Sequence, residues 1–292
     1  YEDIDLIGLI KIIWSDKIKI LTITCLAALL SVLYSLSLPN IFKSEILLAP
    51  ADSSLQGTSG LGSYAGLASF AGVSLGSQGA SDVTIGLATL ESRAFITDFI
   101  ERRDILVPLM ALESWTEEKV EINDDVYDLD KKTWIDEKPG LQSAFSTFKN
   151  ILSIKKEEGT GLVKISVSNE SPVLAQQWVS WLVEDLNNSI RDGDIKEAKR
   201  SIAFLEKQMQ STALVDMRSI LFGLIEQQTE IIMLASVRSD YLFKVLDPAI
   251  VNEDKSSPNR AIICILGTIF GGFLSVIMVL LMHFYNQKNV TR

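Results

Sequence analysis

The sequence has one histidine, His283, and two cysteines, Cys25 and Cys264. All three lie in two long apolar runs, so the stretch between the runs has neither residue type. No His-based triad and no Cys/His metal cluster can be assembled there, and no disulfide framework holds it together. Also absent is any Lys or Arg between Lys43 and Arg93. That interval includes the glycine- and serine-rich segment 57–82, and the chain has no Gly-x-x-x-x-Gly-Lys-Ser/Thr motif, so these glycines do not form a phosphate-cradling loop. Leu61, Tyr64, Leu67, Phe70 and Val73 recur there at every third residue. The pattern suits a weak helix or self-packing loop, read either as a mobile insertion or as a surface toward a neighbouring subunit. Carboxylates do occur in pairs, Asp124 with Asp125 and Glu157 with Glu158, but as sequence neighbours in charged turns, where solvation accounts for them. These absences predict a protein that is not an enzyme and needs no cofactor or metal.

Charge is missing from two further places, residues 20–42 and 261–287. A helix crossing a bilayer needs about 20 apolar residues, and both runs qualify even after Pro39 shortens the first to about 19. Two spans would put both ends on one side of a membrane and residues 43–260 on the other. Lys11, Lys17 and Lys19 before the first span and Lys288 and Arg292 after the second favour cytoplasmic tails, although Lys43, Lys255 and Arg260 reduce the contrast. The net charge is −10, and the tails contribute −1 and +2, leaving −11 for residues 43–260. Such an acidic domain is a poor electrostatic partner for nucleic acid or anionic headgroups.

What is present in the external part alternates between sheet and helix patterns. Val163, Ile165 and Val167 alternate with Lys164, Ser166 and Ser168, the period of a half-buried strand over 162–168. Residues 152–156 are its expected partner, and 45–49 and 242–247 are further strands. A helix is expected over 83–103, entered through Ser81 and Asp82. Ser171 and Pro172 open a longer one. Leu174, Trp178, Trp181, Leu182, Asp185, Leu186 and Ile190 keep helical spacing with one polar exception, and Ile195, Ala198, Ile202, Leu205 and Met209 continue in steps of three and four. The register is lost at 211–215 and returns with Met217, Leu221, Leu224, Ile225, Gln228, Ile231, Ile232 and Ala235. A helix over 172–211 would be about 60 Å long; the alternative is three shorter helices broken at Gly193 and near Thr212. The apolar arm residues, Ile195, Ile202, Leu205, Met209, Leu221 and Leu224 among them, exceed what one hairpin buries and are expected to contact neighbouring copies.

Between the returning strand and the second span lies DPAIVNEDKSSPNRA, residues 247–261. Pro248 and Pro258 fix φ and lack donors, so this connector should be extended, with Arg260 marking the membrane boundary. Within the span Gly267 and Gly271 form a GxxxG, with Gly272 beside it, which permits close helix approach.

IDLIGLIKIIWSDKIKI before the first span, IGLATLESRAFITDFIERRDIL, EAKRSIAFLEKQ, and DPAIVNEDKSSPNRAIICILG leading into the second span occur in an order that resembles the chain-length determinant (Wzz-type) family of polysaccharide co-polymerases. The resemblance implies an α+β fold with two transmembrane helices flanking a periplasmic mixed α/β base and a long helical, coiled-coil-like arm. It assigns 1–19 and 288–292 to cytoplasmic tails, 20–42 and 261–287 to the spans, 43–170 to the base with its insertion at 57–82, 171–240 to the arm, and 241–260 to the return strand and connector. It further implies a bacterial inner-membrane protein that forms a ring-like homo-oligomer such as an octamer. In the family, such a protein acts with the O-antigen polymerase on a lipid-linked polysaccharide and sets lipopolysaccharide chain length. The proline-introduced, glycine-rich second span would be the contact for the first span or the polymerase. The alternatives are a two-span adaptor or receptor with an external domain; the short tails are expected to leave no room for a kinase or output domain.

Overall fold

The computed structural model describes residues 14, 16–51, 78–116, 119–157, 159–211 and 215–290. Lys11, residues 57–77 of the glycine-rich segment, Glu158, residues 212–214 and Arg292 lie outside the described residues. The chain divides into two compact units, Tyr1–Phe42 with Asp254–Arg292, and Lys43–Glu253.

The first unit contains two apolar helices, α1 (Lys17–Ser37) and α8 (Arg260–Val290). Helix α1 stops before the apolar run 20–42 ends, because Leu38 is extended (φ −78°, ψ 137°), the conformation that a following proline, here Pro39, imposes. Phe42 already belongs to a strand. Helix α8 is capped by Asn259, whose Oδ1 accepts from the Ile262 N–H (3.4 Å) and whose carbonyl accepts from the Ile263 N–H (3.2 Å).

The second unit is built on a four-stranded sheet in the order β6-β7-β1-β8, with β1 at Phe42–Pro50, β6 at Leu152–Lys156, β7 at Val163–Asn169 and β8 at Phe243–Asp247. Strands β6 and β7 pair antiparallel with Ile154 opposite Ile165. The turn between them contains Gly159 (φ +93°) and Gly161 (φ +72°), left-handed positions that glycine alone occupies without strain. Strand β8 pairs antiparallel with β1, with Phe243 opposite Pro50.

The helix expected over 83–103 is two helices, α2 (Gln78–Glu91) and α3 (Arg93–Arg102). Ser92 is extended and its Oγ accepts from the Phe95 N–H (3.2 Å), so a side-chain cap restarts the helix where periodicity alone reads straight through. Six elements follow that the hydrophobic pattern leaves undefined: α4 (Leu106–Met110), the hairpins β2/β3 (Leu112–Thr116, Lys119–Ile122) and β4/β5 (Tyr127–Asp128, Thr133–Trp134), and α5 (Leu141–Ile151). Their strands are short, and the small hairpin is held by an edge-on Tyr127–Trp134 ring pair 5.1 Å apart rather than by a buried face.

The core lies between the sheet and the helices. Ile46, Leu48, Val163, Ile165 and Val167 from the sheet meet Ile96, Phe99, Ile100, Phe148, Trp178, Leu182 and Leu186. Phe148 sits 5.5 Å from Phe99 and 6.0 Å from Trp178, centroid to centroid.

The long helix, α6, is continuous over Pro172–Ser211 and passes through Gly193 without a break; α7 follows at Val215–Val237. Of the two readings, the single helix is the one formed. Its first half carries nearly all its buried residues, whereas beyond Asn187 only Ala198 is fully covered. The first half thus belongs to the base core, and the second half packs along α7 as an arm. Among the described residues three helices, α1, α7 and the stretch of α8 from Arg260 to Met282, are long and apolar enough to cross a membrane.

Candidate functional site

Two apolar helices gain little from associating in hydrocarbon unless small residues let their backbones approach and polar side chains bond across them. Both conditions are met where α8 runs antiparallel to α1. A Cβ placed on Gly267 would collide with Ser31 Oγ and stand 2.6 Å from Ser31 Cβ, and one on Gly271 would collide with Ala27 Cβ. The neighbouring Gly272 differs, because a Cβ there would lie 3.7 Å from Thr24 Cγ2, an ordinary contact. Ser31 Oγ donates to the Ile263 carbonyl (3.0 Å), and the hydroxyls of Thr24 and Ser275 are 3.3 Å apart. Gly271, Ser275 and Val279 are buried along one face of α8, and Ser35 is buried on α1. The GxxxG therefore faces the first apolar helix of the same chain. Leu266, Ile269, Phe270 and Phe273 point away from that seam and are exposed.

The segment between β8 and α8 is tied at both ends. After Pro248, the Ala249 carbonyl accepts from Gln176 Nε2 (3.3 Å), the Ile250 carbonyl from Ser44 Oγ (2.7 Å), and Asn252 Nδ2 donates to the Lys43 carbonyl (3.4 Å). Beside the apolar helices, Ile41 exchanges hydrogen bonds with Ser256 and Ser257 (2.8 Å to each), just before Pro258. Arg260 donates to Asn40 Oδ1 (3.1 Å). Both helix ends on this side are thus joined through 40–41 and 256–260, within one unit.

The arm residues chosen from the sequence fall mainly on the seam between α6 and α7. Ile195, Ile202, Leu205 and Met209 are half-buried and Leu221 is buried, while Leu224 is 41% exposed. Phe204, Ile220, Phe222 and Met233, none of them chosen from the sequence, are also left uncovered. Step-of-three-and-four spacing identifies the buried stripe of a hairpin, so it selects the intrachain seam before any outer face.

Two polar clamps hold α6 to the base. Asp185, the polar exception in the helical register, is buried and accepts two bonds from Arg103 (Nη2 2.6 Å, Nε 3.2 Å), while the same Nη2 also donates to Glu184 (2.8 Å). The Asp185 carboxylate, with Glu184, holds the Arg103 pKa above its usual value. Asn187 is also buried; its Oδ1 accepts from the N–H groups of Leu242 (3.0 Å) and Phe243 (2.9 Å), and its Nδ2 donates to the Phe243 carbonyl (2.9 Å). The Asn187 amide thus satisfies both backbone groups of Phe243 on β8, the edge strand of the sheet. Among the described residues no group of three or more His, Cys, Asp or Glu could hold a metal.

Residues 2–93 match the Wzz family model, chain length determinant protein. The match agrees with the family resemblance read from the sequence over that part of the chain. The Wzz match takes in α1, β1, α2 and the first residue of α3. No curated protein matches the chain. Among solved structures, a full-length bacterial polysaccharide co-polymerase aligns over 99% of each chain at 14% identity and TM-score 0.41. A fragment of WzzB, polysaccharide co-polymerase from Salmonella Typhimurium, aligns with 75% of this chain and 100% of its own at 11% identity and TM-score 0.32.

Sequence reasoning named the glycines of the second apolar helix but missed their counterparts on the first. Thr24, Ala27, Ser31 and Ser35 recur at steps of three and four within the run 20–42, a signal as legible as the GxxxG. Asn187 had no such signal, since its partners are backbone groups more than fifty residues away.

Proposed function

We propose that this chain is a non-enzymatic regulator of polysaccharide chain length, a co-polymerase that acts with the O-antigen polymerase during lipopolysaccharide synthesis. The observation that carries this reading is the Wzz match over residues 2–93, joined to an α/β unit and long helical arm that intervene between two apolar helices. It is a two-span protein of the bacterial inner membrane with cytoplasmic termini, and residues 43–260 lie in the periplasm. Helix α7 belongs to the periplasmic arm despite its apolar character. Glu226 and Glu230 lie at its middle, where each carboxylate would cost about 3 kcal/mol in a bilayer centre. The chain assembles into a ring-like homo-oligomer, because the arm leaves Phe204, Phe222 and Met233 uncovered. Since Gly267 and Gly271 are occupied by α1, the polymerase meets α8 on its opposite side, at Leu266, Ile269, Phe270 and Phe273.

Deleting the gene and running the lipopolysaccharide ladder on a gel tests the function: the modal band is expected to disappear, and an unchanged ladder refutes the reading. The topology is tested by labelling Thr229→Cys, in a chain whose native cysteines are Ala, with a membrane-impermeant maleimide applied from the periplasmic side. Protection from labelling would put α7 in the membrane.

A further inference from the structure

The arm has two outer faces of opposite charge. On α6 the half-buried stripe of Ile195, Ala198, Ile202, Leu205 and Met209 marks the side toward α7. At 3.6 residues per turn, Lys196 and Arg200 lie about 140° and 180° from that stripe's centre. On α7 the stripe is Leu221, Ile225, Gln228, Ile232 and Ala235, and Glu226 and Glu230 again lie about 140° and 180° from it. All four charged side chains are exposed, and among the described residues none has an ion-pair partner. Lys199 and Lys207 add to the basic side of α6, where the exposed Glu197, between Lys196 and Arg200, is the nearest acid, in a chain whose net charge is −10.

The charges also match in height. Arg200 precedes the end of α6 at Ser211 by eleven residues, and Glu226 follows the start of α7 at Val215 by eleven. Lys196 and Glu230 are each fifteen residues from those same ends. At 1.5 Å per residue the two levels stand about 16 and 22 Å from the hairpin end on both helices. Ala203 and Gly223, each eight residues from its end, lie on the same outer faces and leave room for two helices to approach. Each helix by itself places like charges at i and i+4, which disfavours it by a few tenths of a kcal/mol (~0.2–0.5) unless something of opposite sign lies alongside.

We propose that neighbouring copies dock head to tail through their arms, with Lys196 and Arg200 on the outer face of α6 in one copy against Glu230 and Glu226 on the outer face of α7 in the next. The occupant of each face is a second copy of this chain standing at the same height. Because the two faces differ, the contact repeats from copy to copy, as a ring requires, and does not end at a dimer. The outer-face Phe222 and Met233 on α7 are covered in the same contact. This inference rests on the assembly proposed above and names the surface that forms it.

The test uses the full chain in detergent, with mass from multi-angle light scattering and helix content from circular dichroism. Lys196→Glu with Arg200→Glu, and separately Glu226→Lys with Glu230→Lys, should each lose the wild-type assembly mass while keeping wild-type helix content. The fourfold exchange should recover that mass, since every interface then carries the charges reversed. Ala203→Cys combined with Gly223→Cys, in a chain with Cys25→Ala and Cys264→Ala, should crosslink into a ladder extending beyond the dimer. Reversal variants that assemble like wild type, a fourfold variant that stays dissociated, or crosslinking that ends at a dimer would each overturn the proposal while leaving the chain-length function standing. A wild-type chain that is itself monomeric would remove the assembly reading as well, and the gene-deletion ladder tests the function separately.

Discussion

Gly271 and Gly272 are adjacent in sequence, yet the structure predicts opposite consequences for the same substitution. A methyl group on Gly271 collides with Ala27 Cβ, whereas one on Gly272 sits 3.7 Å from Thr24 Cγ2. Ordinary carbon contact is about 3.5–4.0 Å, so relieving the first clash requires α1 and α8 to part by roughly 1.5 Å. Overpacking of this kind costs about 1–3 kcal/mol, equivalent to about 5- to 150-fold in the pairing equilibrium. Alanine gains about 1 kcal/mol over glycine in intrinsic helix preference, but that gain is common to both variants and cancels between them. The pairing is read by introducing Thr24→Cys and Ser275→Cys, at the positions whose hydroxyls lie 3.3 Å apart, into a chain with Cys25→Ala and Cys264→Ala, and measuring oxidative crosslinking. Gly272→Ala should crosslink like the parent. Gly271→Ala should crosslink several-fold more slowly and, if the paired spans act in length control, broaden or shift the modal lipopolysaccharide band. Equal crosslinking in the two variants would refute the assignment of Gly271 to the seam.

Three other outcomes are expected. Replacing Arg103 with Ala leaves the buried Asp185 carboxylate without its bidentate partner and should lower stability by about 3 kcal/mol, the lower part of the range because Arg103 is itself partly exposed; a denaturant midpoint within error of wild type would contradict this. Glu45 accepts from Lys43 and Lys164, which hold its pKa below the usual carboxylate value, so it contributes stability above that value and loses it as pH falls through the depressed one. Glu45→Gln should therefore lower Tm at neutral pH, with the difference shrinking in acid, and a difference that grows on acidification would be the wrong sign. Replacing both Pro248 and Pro258 with Ala should leave the chain inserted and assembled while shifting the modal band less than Gly267→Leu with Gly271→Leu does, a comparison made on one gel.

Local patterns determined much of this protein. Two charge-free runs marked α1 and α8, β-period alternation marked β7, and a serine-proline pair marked the start of α6 at Pro172, because each of these signals depends on near neighbours in the chain. The Ser92 restart between α2 and α3 was also local, but a capping serine within an otherwise periodic stretch does not stand out from the hydrophobic pattern. The tertiary structure alone decided which side each stripe faces. The three-and-four spacing of Ile195, Ile202, Leu205, Met209 and Leu221 was legible, but their place between α6 and α7 depends on where the chain turns back. The GxxxG was equally plain, while its contact with Ala27 and Ser31 needed the antiparallel register of two helices more than 230 residues apart. Asp185 was a break in pattern until folding brought Arg103 to it across 82 residues. Sequence periodicity records that a face is apolar or that a position is polar; only three-dimensional packing supplies the partner that covers or neutralises it.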